Sequence, residues 1–134
     1  MSIHGSCVCG AVRYAITGEV GSFVHCHCSR CRKSSGAAHG SSLFVKADQM
    51  TFTEGEQQVR RFKLDGTAWW CSAFCDTCGS ALPWLTKNGK SWLVPAGGLD
   101  HDPGARPRSH IFVGSKAPWH DLDADLPRYP TYPD

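Results

Sequence analysis

Three short runs of this sequence set cysteines at spacings that suit metal ligation. The clearest is Phe74-Cys75-Asp76-Thr77-Cys78-Gly79. Two residues between Cys75 and Cys78 let both sulfurs converge on one ion, and a glycine after the second allows the tight turn in which backbone N–H groups face the thiolates. A redox pair is the other common use of this motif, but it belongs with a βαβ pattern that the chain lacks. A closed zinc site takes four ligands, so two more must come from elsewhere. The run Cys7-Val8-Cys9-Gly10 offers them. Residues two apart on a strand share a face, so Cys7 and Cys9 can point at the same ion, and Gly10 again frees the backbone to turn.

The third run, His25-Cys26-His27-Cys28-Ser29-Arg30-Cys31, joins C-x-C to C-x-x-C through the shared Cys28. Cys26, Cys28 and Cys31 supply three sulfurs, and three protein ligands leave the fourth tetrahedral position of a zinc ion free for water or substrate, as a catalytic metal requires. Closure by Cys71 or by a histidine is the alternative, and it would make this site structural too. His27 lies between two ligands on an extended segment and is expected to turn away from the metal, either packed around the site or facing solvent, as is His25. His39 and His110 either reach the site or make ordinary hydrogen bonds. Arg30, Arg32 and Lys33 are either a solvated surface or a grip on an anionic substrate such as a peptide carboxylate, which the planar arginine fork suits. Cys71, in the run Ala68-Trp69-Trp70-Cys71-Ser72-Ala73-Phe74, is expected to be a buried, unligated thiol that packs as a small apolar side chain.

Short strands must position these groups. Val12, Tyr14 and Ile16 fall on one face at period two, and Gly18 and Gly21 then break the run. Similar runs are expected to be strands at Ser41 to Val45, Val59 to Leu64, Ala68 to Phe74, Ala81 to Leu85, Ser91 to Val94 and Ser109 to Val113. Lys87-Asn88-Gly89-Lys90 favours a type I′ hairpin pairing Leu82 to Leu85 with Trp92 to Val94. One or two helical turns are expected at Ser29 to Ser35, capped by Ser29. After Ala117, Pro118, Pro127, Pro130 and Pro133 block regular structure and suggest an extended wrap.

The 134 residues suffice for one compact domain and are too few for two. Met1 to Gly10 has neither a basic opening nor a long apolar middle, and no apolar run approaches the roughly 18 residues of a membrane span. A cytoplasmic chain with no membrane association is therefore expected, and in a reducing setting clustered cysteines read as ligands rather than disulfides. The formal charge of +2 is too even for a nucleic-acid surface. Seven ionised cysteines around two zinc ions would take it to −1, since a bound thiol loses its proton.

The order Gly5-Ser6-Cys7-Val8-Cys9-Gly10-Ala11-Val12, then Cys26-His27-Cys28-Ser29-Arg30-Cys31-Arg32-Lys33-Ser34-Ser35-Gly36, then Phe74-Cys75-Asp76-Thr77-Cys78-Gly79, resembles the glutathione-dependent formaldehyde-activating enzyme family. Gly98-Leu99-Asp100, Ser109-His110-Ile111-Phe112-Val113 and Lys116-Ala117-Pro118-Trp119 look like the later half of that family. The resemblance implies a mostly β, zinc-stabilised β-tent of short antiparallel strands, one domain over residues 1–134 with its extended tail from about 117. It implies two Zn²⁺ per chain: a structural one on Cys7, Cys9, Cys75 and Cys78, and a catalytic one on Cys26, Cys28 and Cys31. The implied activity is that of a carbon–sulfur lyase like S-(hydroxymethyl)glutathione synthase, whose partners are glutathione or a similar small thiol and a small aldehyde. The same family contains non-enzymatic relatives such as centromere protein V, so a zinc-stabilised protein-binding module is the alternative, and a thiol redox protein a third.

Overall fold

The computed structural model describes residues 2–133. Its strands are β1 (Ser2–Ser6), β2 (Arg13–Thr17), β3 (Phe23–Cys26), β4 (Gly40–Lys46), β5 (Met50–Glu54), β6 (Val59–Lys63), β7 (Cys71–Cys75), β8 (Trp84–Leu85), β9 (Ser91–Pro95) and β10 (Ser109–Ile111), with one helix, α1 (Ser29–Ser35), between β3 and β4. They form a three-stranded sheet β1-β2-β5, a five-stranded sheet β10-β3-β4-β9-β8, and the hairpin β6-β7. The fold is mostly β, as expected, and the pairs are antiparallel except one. β10 runs parallel to β3, with His110 opposite His25 and Ile111 opposite Cys26. Parallel pairing needs a long connection between the two strands, and here most of the chain lies between them.

The core forms where the three sheets meet. Val12, Tyr14 and Ile16 point inward from the first sheet, Leu43, Val45, Leu93 and Val94 from the second, and Cys71, Ala73 and Cys75 from the hairpin. The period-two face of β2 is thus the buried one. Tyr14 is held unusually closely. It stands opposite Gly5 in the β1–β2 register, and a Cβ on Gly5 would lie 2.2 Å from its ring, while one on Gly98 would lie 2.6 Å from its hydroxyl oxygen. Only glycine leaves room for the phenol on both sides.

Several local expectations are corrected. β1, β3 and β5 carry few apolar residues or coincide with the cysteine run, and none was expected as a strand. β7 starts at Cys71 rather than Ala68. The strand expected from Ala81 shrinks to Trp84–Leu85, because Pro83 can donate no ladder hydrogen bond. Ala81 makes only an isolated bridge to Phe74. β10 ends at Ile111 because Phe112 takes a left-handed φ of 56°. The β8–β9 hairpin forms where expected, but not through a type I′ turn. Gly89 N–H donates to the Thr86 carbonyl at 2.9 Å, and Gly89 alone is left-handed, at 73°. Asn88 Oδ1 instead accepts from Thr86 Oγ1 and from Lys90 N–H. The helix spans Ser29–Ser35 as expected, but its cap is Cys28, whose sulfur accepts from Cys31 N–H at 3.3 Å. After Ala117, which is buried, no strand or helix follows among the described residues, and Trp119 and Tyr132 stand open to solvent.

The Tyr14 seat gives the first test. Gly5→Ala should force the ring out of place and destabilise the protein by about 1–3 kcal/mol, the range for overfilled cores. A thermal melt should show the loss as a fall of several degrees, and an unchanged midpoint would mean that the seat is not tight.

Candidate metal centres and the adjoining cleft

The first cysteine group is assembled from two knuckles far apart in the chain. β1 delivers Cys7 to a turn closed by Gly10 N–H donating to the Cys7 carbonyl at 3.0 Å, and β7 ends on Cys75, where Gly79 N–H donates to the Cys75 carbonyl at 2.8 Å. Gly10 and Gly79 are both left-handed, at 78° and 76°, so each glycine makes the turn its spacing implies. The sulfurs of Cys7, Cys9, Cys75 and Cys78 then lie within 4.8 Å of one another. Val12 N–H points at Cys7 Sγ, 3.3 Å away, and Ser80 Oγ lies 3.1 Å from Cys78 Sγ.

The second group comes from one stretch. Cys26 ends β3, Cys28 caps α1 and Cys31 sits in its first turn, and their three sulfurs also lie within 4.8 Å. Gly40 lets the helix approach β4 closely, since a Cβ there would meet that of Cys31 at 3.3 Å.

Ionisation within each group is unequal. The Ser80 hydroxyl, the backbone N–H groups around it and the Cys9 side chain draw Cys78 down to about 5. The Ala11 backbone N–H favours a Cys9 thiolate, but Cys7, partial burial and the other sulfurs outweigh it and hold Cys9 at about 11. In the second group a hydrogen bond from the Cys31 thiol, with help from Cys28 and the Arg30 charge and against burial, lowers Cys26 to about 6. The same contact, together with burial and the Cys26 charge, pushes Cys31 far up. Once one thiol has ionised, like charge opposes the next. A cation bound by all of them removes that opposition, and thiolate sulfur suits a borderline or soft metal ion. Both donor sets fit such an ion, the four as a closed site and the three with one position left over.

Cys71 lies outside both groups, fully buried in β7 with Arg61 Nη2 donating to its sulfur at 3.5 Å. No histidine belongs to either group among the described residues. His27 does turn from the sulfurs, and it is fully buried rather than solvent-facing. It lies 2.9 Å, Nε2 to Nδ1, from His110 and packs on His39 and His120, with ring centroids 4.9 and 5.8 Å away. His25 joins the cluster, 4.2 Å from His39, with its Nδ1 3.0 Å from Ser41 Oγ. Burial first, and then the neighbouring imidazoles, lower the pKa values of His25, His27 and His39 and keep these rings neutral. His120 gave no sign in the sequence. No local pattern marks it, and only the fold brings it to the others.

The sequence also gave no sign of a cleft of about 530 Å³ that runs from one cysteine group toward the other. Cys31 and Ser35 of α1, Ser42 of β4, Ser72 of β7 and Ser80, two residues past Cys78, all line it. Four separate elements contribute, so no run of sequence announces it. Arg30, Arg32 and Lys33 do not line it. The first two are half-buried on α1, without a carboxylate within 4.0 Å among the described residues.

Residues 2–115 match the family described as "Glutathione-dependent formaldehyde-activating enzyme". A Halomonas elongata protein named "Putative glutathione-dependent formaldehyde-activating enzyme" is 30% identical over 130 residues, spanning 92% of this chain and 83% of that protein. A crystal structure of a Rhodobacter sphaeroides protein superposes with a TM-score of 0.62 at 18% identity, over 80% of this chain and 98% of that one, a likeness of fold alone.

The two groups should fail differently. Cys75→Ala removes a buried sulfur at the junction of two sheets, and it should cost one metal equivalent and the folded state, because a metal bound only by the native chain contributes folding free energy. Cys71→Ala should keep both equivalents. Elemental analysis and thermal melts of the two variants check this, and loss of metal from Cys71→Ala would make that thiol a ligand.

Proposed function

The chain belongs to the glutathione-dependent formaldehyde-activating enzyme family, and we propose on that footing that it joins a small thiol, glutathione or a close relative, to a small aldehyde as a zinc-dependent carbon–sulfur lyase working in the synthetic direction. Zn²⁺ would sit on Cys7, Cys9, Cys75 and Cys78 as a structural ion and on Cys26, Cys28 and Cys31 as a catalytic one. The observation that supports this division is the cleft. Cys31 lines it, whereas none of the four cysteines of the other group does.

At the three-cysteine site the ion would supply Lewis acidity that favours the ionised form of an incoming thiol at neutral pH. The rest falls to the chain. β3 and α1 hold the three sulfurs together with Cys31 facing the cleft, and the Cys31 N–H bond to Cys28 Sγ holds the helix to the donor set. In the reaction the thiolate sulfur adds to the carbonyl carbon, the C=O π pair moves to oxygen, and the proton lost by the thiol ends on that oxygen to give a hydroxymethyl thioether. No oxidant or reductant is needed. Serine hydroxyls along the cleft can donate to the developing alkoxide and so lower its energy. The free ligand thiols require a reducing compartment, which a cytoplasmic location provides.

Cobalt in place of zinc tests the reading. Glutathione entering the fourth position should change the cobalt–thiolate absorption, whereas S-methylglutathione, which has no ionisable thiol, should leave it unchanged. Mixed with formaldehyde, the zinc protein should speed formation of the glutathione adduct, and Cys28→Ala should abolish the acceleration. Equal spectral responses to both ligands, with no acceleration, would leave a zinc-stabilised binding module as the better description.

A further inference from the structure

Five buried side-chain polar atoms have no hydrogen-bond partner among the described residues: the Tyr14 hydroxyl, His27 Nδ1, Arg30 Nε, Arg32 Nε and Trp70 Nε1. Only one of them belongs to a residue that lines the cleft. Tyr14, His27, Arg30 and Arg32 are absent from the lining, and Trp70 is part of it, as are Cys31 and Trp84.

Trp70 stands immediately before β7, 6% exposed and packed in the shared core, with its ring 5.8 Å from that of Trp84. An indole N–H can only donate. Buried without an acceptor, it carries the full cost of losing water, so buried tryptophans normally find one. The chain supplies none to Trp70 Nε1, and the open space that Trp70 borders is the cleft.

A thiol whose sulfur reaches an ion beside Cys31 has the cleft for the rest of its length. A peptide thiol such as glutathione brings carbonyl and carboxylate oxygens there, and all of them accept. The hydroxyls of Ser35, Ser42 and Ser72 also line the cleft, but a hydroxyl both donates and accepts and so discriminates little. Trp70 does discriminate, because an oxygen acceptor satisfies it and a bare alkyl chain leaves it unpaired.

We propose that Trp70 is a substrate-binding residue whose indole N–H donates to a carbonyl or carboxylate oxygen of the thiol in the cleft. This rests on the thiol–aldehyde reading of the three-cysteine site and adds to it the group that recognises the thiol beyond its sulfur. A thiol that carries such an oxygen is then held at two points, sulfur at the ion and oxygen at the indole.

Titrating the zinc-loaded protein with glutathione and with ethanethiol, which has no oxygen, tests this. In nitrogen-labelled protein the five tryptophans give five indole N–H signals, and the one missing from Trp70→Phe belongs to Trp70. Glutathione should move that signal downfield and slow its exchange with solvent deuterium, and ethanethiol should do neither. By calorimetry, Trp70→Phe should cut the ratio of glutathione affinity to ethanethiol affinity about fivefold, the worth of one ordinary hydrogen bond. A merely structural role would weaken both thiols alike and leave the ratio unchanged. If Trp70→Phe does not fold, the wild-type spectrum, with its indole signals assigned through the backbone, decides alone. A Trp70 signal that stays in place while glutathione binds, or an unchanged ratio, overturns the proposal and leaves the thiol chemistry standing. Binding of neither thiol overturns both.

Discussion

Sulfur atoms crowded within 4.8 Å of one another are the constraint around which this chain is organised. Cys9 and Cys75 are 66 residues apart, and their two knuckles join the β1-β2-β5 sheet to the β6-β7 hairpin at one point. This junction and the shared core beneath it, to which both sheets contribute, define how they meet. The same crowding opposes full ionisation of the thiols, and a bound cation would turn that opposition into attachment. In a domain this small, such an attachment would add to what apolar burial supplies.

The second group gathers its sulfurs differently. Its three sulfurs come from within six residues, so they tie nothing distant together, and what they gain is position. One of them faces a cleft whose walls are built from helix, sheet and hairpin together. On another side, His27 stands between two of the cysteines in sequence and carries a fully buried imidazole into a cluster with His25, His39, His110 and His120. The segment that presents the sulfurs is therefore held on both faces, by packed imidazoles and by the capped helix.

What could be read from the sequence follows from how local each signal is. The knuckles declare themselves within six residues, glycine included, and the structure gives both glycines the left-handed turn. β2 could be read from three alternating residues and α1 from its surroundings. β1 could not, because its inward positions are Ile3 and a glycine whose only purpose is to admit Tyr14 from the next strand. The β8–β9 turn was misread because Asn88 uses its side chain as an acceptor rather than its tolerance of positive φ. The cleft and the histidine cluster were out of reach for a different reason: each gathers single residues from several elements, and only the sheet order brings them together. His39 and His110 could have reached the metal site by their types alone, and they meet His27 instead.

The parallel pairing of β10 with β3 also sets a schedule. His27 and its partner His110 are 83 residues apart, so on a ribosome adding about 5–20 residues each second the strand beside the three-cysteine segment arrives roughly 4 to 17 s late. During that interval β3 presents an open sheet edge, and Cys26, Cys28 and Cys31 present three reduced thiols, to whatever surrounds the nascent chain. Oxidants, stray metal ions and other growing strands all compete for that segment before its own partner exists. His110 and His120 are made only after this long interval, and their packing on His27 marks the moment when that exposure ends.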